Sequence, residues 1–413
     1  MHPLVHDWNQ TGAPASPVRP VLLNDETLRD GLQSPSVRTP KIDEKIRILH
    51  LINHLGIETA DVGLPGAGAH VAADVERLVR EILAAGLRVQ PNCAARTVIA
   101  DIVPVVEISQ RVGLKIECCT FIGSSPIRQY AEDWTLDRLE RLTAEAVGFA
   151  VREGLDVMYV TEDTTRADPE SLRRLFTTAI RAGAKRVCIA DTVGHATPVG
   201  AAAVTRFVQT IVDDCGGGIG IDWHGHRDRD LAVINSLAAM DAGATRLHGT
   251  AIGIGERVGN TPMDLLLVNL VLMGKRDADL SRLSEYCQAV SEACGVAVPA
   301  NYPVVGRDAF RTATGVHAAA VIKAFKKGDA ALVDAVYSGV PATLVGRVQE
   351  IEVGPMSGRS NVIYWLECRG LEATDERVDR ILAKAKVAST VLTEAEILAT
   401  ASISARYPAA PPE

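Results

Sequence analysis

Two histidines two residues apart, His224 and His226, close the short run Ile221-Asp222-Trp223. In an extended strand, residues i and i+2 project from the same face, about 7 Å apart along the chain, so both imidazoles can turn toward one metal ion. A lone His-x-His is better read as two hydrogen-bonded rings at a strand end. It gains weight only if the rest of the chain supplies a carboxylate and a substrate site beside it. The chain does carry polar clusters of that kind, each directly after an apolar run: Asp25-Glu26-Thr27-Leu28-Arg29-Asp30-Gly31-Leu32-Gln33, Thr161-Glu162-Asp163, Asp191-Thr192 and Gly253-Ile254-Gly255-Glu256-Arg257-Val258-Gly259-Asn260.

The elements that must position these groups repeat along the chain. Short runs rich in β-branched residues lie at 21–23, 57–62, 87–90, 114–118, 155–160, 186–190, 219–223 and 245–248, eight in all. Between them lie amphipathic segments, for example 42–55, 71–84, 136–152, 169–182 and 231–242, whose apolar residues recur at three- and four-residue spacing. Pro169 stands where a helix begins, and Gly56, Gly86, Gly154, Gly183 and Gly243 stand where helices end. Eight strand–helix units over roughly 250 residues predict an α/β fold of the (β/α)8, or TIM, barrel type. A doubly wound open sheet alternates in the same way, but no Gly-rich dinucleotide fingerprint follows the first strand. In a barrel the chemistry lies at the C-terminal ends of the strands, where five of the eight carry the acids, histidines, arginine or amide named above.

The predicted organisation is a flexible arm over residues 1–20, a catalytic barrel over 21–275, and a smaller α+β and helical accessory region over 276–413 with no regulatory domain. A formal charge of −8 on 413 residues argues against nucleic acid or an anionic membrane as the main partner. No window approaches a membrane span, and the first twenty residues lack the apolar core of a signal peptide. Eight cysteines without a Cys-x-x-Cys pair read as reduced and buried, as in a cytoplasmic protein.

Taken together, Thr27-Leu28-Arg29-Asp30-Gly31-x-Gln33, Asp191-Thr192-Val193-Gly194, His224-x-His226-x-Asp228 and Gly253-x-Gly255-Glu256-Arg257-x-Gly259-Asn260 resemble the metal-dependent Claisen-type synthases. These are the 2-isopropylmalate, homocitrate and citramalate synthases, grouped with 3-hydroxy-3-methylglutaryl-CoA lyase. The resemblance implies transfer of acetyl from acetyl-CoA to the keto carbon of a 2-oxo acid, with release of CoA. It implies Asp30, His224 and His226 as ligands of a divalent ion (Zn, Mn, Mg or Co), with Asn260 as a further ligand. It gives Arg29 the developing oxyanion, and Thr192 and Glu162 a contact with substrate. His317, in Thr314-Gly315-Val316-His317, would reach the neighbouring active site of a homodimer and share proton transfer with Glu162. Gln33 and Arg96 would orient substrate, and Leu64 and Asn92 would sense its side chain. Read without the resemblance, Glu162 is a rim ion pair, Thr192 a helix N-cap and His317 a solvent-facing helical histidine.

Some positions depart from the synthase pattern. Leu32 replaces the usual Glu and matches the lyase, Arg227 replaces Asn, and Gly63-Leu64-Pro65 replaces Gly-Phe-Pro. The expected activity is an acyltransferase of the 2-isopropylmalate synthase kind. The alternatives are homocitrate or citramalate specificity, a carbon–carbon lyase acting on a 3-hydroxyacyl-CoA, and a barrel that has lost catalysis. The Gly253–Arg257 loop, standing where the lyase has a Cys-containing loop, and the long C-terminal segment favour the synthase.

Overall fold

Apolar β-branched runs that alternate with amphipathic helices bury both faces only if the strands lie parallel beneath a helical layer. The computed structural model, which describes residues 2–10 and 20–401, shows that solution closed on itself. Eight parallel strands, β1 (Leu22–Asp25), β2 (Thr59–Asp61), β3 (Gln90–Arg96), β4 (Glu117–Gly123), β5 (Asp156–Glu162), β6 (Arg186–Asp191), β7 (Gly220–Gly225) and β8 (Arg246–Gly249), form a barrel in sequence order. Closure is made by β1 against β8, with Leu22 opposite Arg246 and Asp25 opposite Gly249. The outer layer is α1 (Ile42–His54), α2 (Ala69–Ala84), α3 (Ile99–Val112), α4 (Pro126–Ala131), α5 (Leu136–Arg152), α6 (Pro169–Arg181), α7 (Pro198–Asp214), α8 (Ala232–Ala242) and α9 (Met263–Leu272).

All eight expected strands are present, but β3 and β4 run five or six residues past the ends of their β-branched runs. The polar and small residues Asn92, Cys93 and Thr120 continue these strands because ladder hydrogen bonds from both neighbours hold them, whatever their own preference. The sequence boundary at 275 also moves. The barrel unit extends to Val298, since α10 (Leu283–Cys294) packs on α1 and buries Tyr286, whose hydroxyl bonds Asp25 and Thr27 under the barrel wall.

The barrel interior is ionic where such barrels are ordinarily filled by branched apolar residues. Asp222 of β7, fully buried, accepts from Arg186 Nε at 2.6 Å, Arg246 Nε at 2.5 Å and His248 Nε2 at 2.9 Å. Arg246 also reaches Glu117 of β4 at 2.7 Å. Burial alone would push the Asp222 carboxyl up, yet Arg246 and Arg186 outweigh it and hold the group below the ordinary carboxylate range.

Residues from Pro299 onward form a second compact unit with the first residues of the chain. It comprises β9 (Arg311–Thr312), α11 (Gly315–Lys326), α12 (Ala330–Ala335), β10 (Glu350–Ile351), α13 (Arg359–Glu367), α14 (Asp375–Val387) and α15 (Glu394–Thr400), with β9 and β10 paired in parallel. One small core gathers Ala318, Val321, Ile322 and Ile351; another gathers Val353, Trp365, Leu366, Val378, Ile381 and Ile397. Met356-Ser357-Gly358-Arg359-Ser360-Asn361 is the turn into α13, where Asn361 Oδ1 accepts from Gly358 N at 3.2 Å. The expected arm lies partly, and the Pro-rich tail from Tyr407 wholly, outside the described residues. Within the arm, residues 2–10 include a short 3-10 turn at Trp8–Gln10, and His2 Nε2 lies 3.4 Å from Asp329 Oδ2 in the second unit.

Candidate active site

β1, β7 and β8 lie side by side, so their C-terminal ends bring three polar stretches to one point. His224 Nε2 and His226 Nε2 face each other at 3.1 Å, and each lies 3.7 Å from Asp30 Oδ2. Two ligand atoms about 2.1 Å from one ion lie roughly 3.0 to 3.4 Å apart in octahedral or tetrahedral geometry, so this convergence has the dimensions of a metal centre. Asn260 adds a fourth group: its Nδ2 donates to Asp30 Oδ2 at 2.5 Å, while its Oδ1 is buried without a hydrogen-bond partner. Glycines set Asn260 in place. A Cβ on Gly255 would lie 2.6 Å from Asn260 Oδ1, and one on Gly259 would lie 1.7 Å from the Gly253 carbonyl oxygen.

A second cluster of candidate ligand atoms joins Glu26, His224 and His248. Here each histidine is already hydrogen-bonded to Glu26. Glu26 Oε2 lies 2.6 Å from His224 Nδ1, and Oε1 lies 3.0 Å from His248 Nδ1. Burial opposes ionisation of Glu26, but His224, His248 and Arg29 hold its carboxyl well below the usual range. An ionised carboxylate only accepts, so both facing ring nitrogens carry hydrogen. With hydrogen held at Nδ1, it is the Nε2 of His224 that faces the Asp30–His226 cluster, the tautomer that serves as a metal ligand. His248 lies between Glu26 and Asp222; although burial lowers its pKa, the two carboxylates push it up to about 9. His226 goes the other way, down to about 4 through burial and the neighbouring His224.

Arg29 is fixed by three carboxylates: Nε to Asp61 at 2.7 Å, Nη1 to Asp30 at 2.7 Å and Nη2 to Glu26 at 3.2 Å. Of its five N–H groups, one on each terminal nitrogen remains for a ligand. Above these groups opens a cavity of about 260 Å³ whose wall includes Arg29, Asp30, Gln33, Leu64, Glu162, Thr192, His224 and His226.

Asn92 and Arg96 are not on that wall. Asn92 donates to Asn24 at 2.6 Å within the barrel, a strand step below Ala94, which does line the cavity. Arg96 is 66% exposed and turned sideways onto Asp101 of α3, at 2.6 and 2.8 Å. Thr192 is no N-cap, since α7 is capped by Thr197; its hydroxyl accepts from Asp163 N at 2.8 Å. Glu162 both lines the cavity and lies 3.9 Å from Arg128 Nε, and burial lifts its carboxyl against the pull of Arg128. His317, in the second unit, is exposed on the first turn of α11 and stacked on Tyr337, ring centroids 4.2 Å apart. Asp228 of the His-x-His-x-Asp motif grips Arg257 at 2.8 and 3.0 Å, and Arg257 reaches the Thr192 carbonyl at 2.6 Å. Asp163, Ile252 and Arg257, all in loops at this end of the barrel, hold positive φ values of 61°, 48° and 57°, a cost that recurs at functional sites.

Glu26, Asp61 and His248 have no role in the expectations from sequence; the signal that marks them is charge at or beside a barrel strand end.

The HMGL-like family profile matches residues 21–290. Homocitrate synthase AksA of Methanopyrus kandleri is 34% identical over 380 residues, covering 89% of this chain and 87% of that protein. A probable 2-isopropylmalate synthase of the same organism is 32% identical, covering 89% of this chain and 69% of that protein. Among solved structures, the HMG-CoA lyase from Brucella melitensis superposes with a TM-score of 0.54 at 19% identity, over 66% of this chain and 98% of that one, a likeness of fold.

Proposed function

We propose, from the premise that this chain belongs to the HMGL-like family, that it condenses acetyl-CoA with the keto carbon of a 2-oxo acid and releases CoA. The observation that carries this reading is the convergence of Asp30, His224, His226 and the orphaned Asn260 oxygen beside the two free N–H groups of Arg29. Asp30, His224, His226 and Asn260 would hold a divalent ion, which would supply Lewis-acid polarisation of the keto group. Arg29 is aimed at the same point by Asp30, Asp61 and Glu26, so its remaining donors meet the oxygen on which negative charge develops. The Thr192 hydroxyl, already accepting from Asp163 N, is left with its own hydrogen to give to the substrate carboxylate. Gln33 and Leu64 on the wall complete the positioning of the acid.

Deprotonating the acetyl methyl group needs a base held close to it. Glu162, with its carboxyl raised by burial at the cavity rim, serves that step in concert with His317 of a second copy of the chain in a homodimer. The methyl carbon then bonds to the keto carbon, the keto oxygen takes a proton, and hydrolysis of the thioester gives the carboxylic acid and CoA. A lyase acting on a 3-hydroxyacyl-CoA would run the carbon–carbon step in reverse. The synthase relatives match nearly nine-tenths of the chain at 32–34% identity, which supports the condensation.

The test is CoA thiol release by protein supplied with Mn²⁺ or Zn²⁺, acetyl-CoA and a panel of 2-oxo acids. Release that depends on the 2-oxo acid is expected, and cleavage of a hydroxyacyl-CoA in its place would refute the reading. His226→Ala should lose metal and activity together, and His317→Ala should keep metal and lose turnover. Mixing the His317→Ala and Arg29→Ala proteins should recover activity if His317 acts across subunits.

A further inference from the structure

The wall of the cavity is divided, and the division follows from barrel geometry. In an eight-stranded barrel β5 lies across from β1 and β4 across from β8, so Arg29, Asp30 and the loop after β8 face the ends of β4 and β5, with β6 next to them and beside β7. Strands β4, β5 and β6 present Cys119 and Phe121, Met158 and Val160, and Cys188 and Ala190. Cys119, Met158 and Cys188 form their own small core, with Val160 packed against it. Burial raises the thiols of Cys119 and Cys188 well above their ordinary range, so both remain uncharged and act as small apolar groups.

Charge on the wall is equally one-sided. Its only guanidinium is Arg29, committed to three carboxylates, against the acids Glu26, Asp30, Asp61, Glu162 and Glu256. The other cations near it are already paired: Arg246, whose Nη2 lies 3.2 Å from Met158 Sδ, with Asp222 and Glu117; His248 with Glu26 and Asp222; and Arg128, off the wall, with Glu132 at 3.0 Å. A second carboxylate on the substrate, directed at β4–β6, would be buried among apolar groups and acids, with every nearby cation already paired to a carboxylate, which is unfavourable.

Resting on the condensation proposed above, we infer that the 2-oxo acid carries a short, uncharged apolar side chain seated against Cys119, Met158, Val160 and Cys188, and that 2-oxodicarboxylates are rejected. The acid end lies at Arg29 and Thr192, and selectivity comes from the apolar side chains of β4–β6. Leu64, expected to sense the side chain, is joined in that work by residues of three strands that the sequence motifs did not mark.

The experiment is calorimetric titration of the Mn²⁺-loaded protein with 2-oxoisovalerate, 2-oxobutyrate, pyruvate and 2-oxoglutarate, followed by kcat/KM for each with acetyl-CoA. The apolar acids should bind, with 2-oxoisovalerate or 2-oxobutyrate ahead of pyruvate, and 2-oxoglutarate should fall at least a hundredfold behind the best of them. Val160→Ala should move the preference about tenfold toward a side chain longer by one or two carbons, and Arg128→Ala should leave the order unchanged. Comparable or better use of 2-oxoglutarate overturns the inference, the more so if Arg128→Ala abolishes it. Metal-loaded protein that binds none of the four acids removes the condensation itself, and this inference with it.

Discussion

Replacing Glu26 by glutamine tests the coupling between the barrel core and the metal centre. The side chain keeps its shape but loses the charge that accepts from His224 Nδ1, His248 Nδ1 and Arg29. A carboxamide has one accepting oxygen and one donating nitrogen, so it cannot take hydrogen from both rings at 2.6 and 3.0 Å. His248 keeps its hydrogen, because Asp222 on its other side stabilises the imidazolium. The amide nitrogen therefore turns to His224 Nδ1, which must become the acceptor, and the hydrogen of His224 moves to Nε2, where it faces Asp30 and His226. Loss of such a supporting carboxylate ordinarily costs 10- to 100-fold in metal affinity, which is about 1.4 to 2.8 kcal/mol. Competition for Zn²⁺ against a chromophoric chelator measures it directly, with a thermal melt of the metal-free protein to confirm folding. Glu26→Asp, which keeps the charge, should recover part of the affinity. Binding by Glu26→Gln within threefold of the original would refute the tautomer argument.

Other expectations follow from the same geometry. Asp222→Asn leaves Arg186, Arg246 and His248 facing a neutral amide inside the barrel, and breaking a buried ion pair costs about 3–5 kcal/mol; urea denaturation should show it, and a loss under 1 kcal/mol would mean that the ladder contributes little. Gly259→Ala would place a methyl group against the Gly253 carbonyl at a φ of 102°; it should cut metal affinity by displacing Asn260, and unchanged chelator competition would rule that out. Native protein should react quickly with a thiol reagent at the exposed Cys368 and slowly at Cys215, whereas Cys93, Cys118, Cys287 and Cys294, buried away from the cavity and Cys118 with its pKa pushed up to about 12, react only after unfolding. Fast reaction at any of those four would contradict that burial.

Much of the barrel can be read in the sequence because its signals are local. A β-branched run, a helix with three- and four-residue spacing and a glycine past the helix end each sit within a few residues, and the order of eight such units allows little beyond a closed parallel barrel or an open sheet. The His224–His226 pair is local in the same way, since the two-residue strand period puts both rings on one face whatever the rest of the chain does. Limits appear where the apolar run and the strand part company. Asn92 and Arg96 lie past such a run, and nothing nearby in sequence says that one turns to Asn24 while the other is drawn onto Asp101.

What the sequence determined by itself was therefore the repeating unit, the strand ends where polar residues gather, and the residue types that could hold a divalent ion. What only the tertiary structure decided was which charges meet. Glu26 and His248 are 222 residues apart and touch because β1 and β8 close the barrel, and the apolar wall at Cys119, Met158 and Cys188 exists because three strands present one side chain each to the same space. Contacts of this sort carry no local signature: they depend on register between distant strands, and a one-residue slip would turn every one of these side chains to the other face.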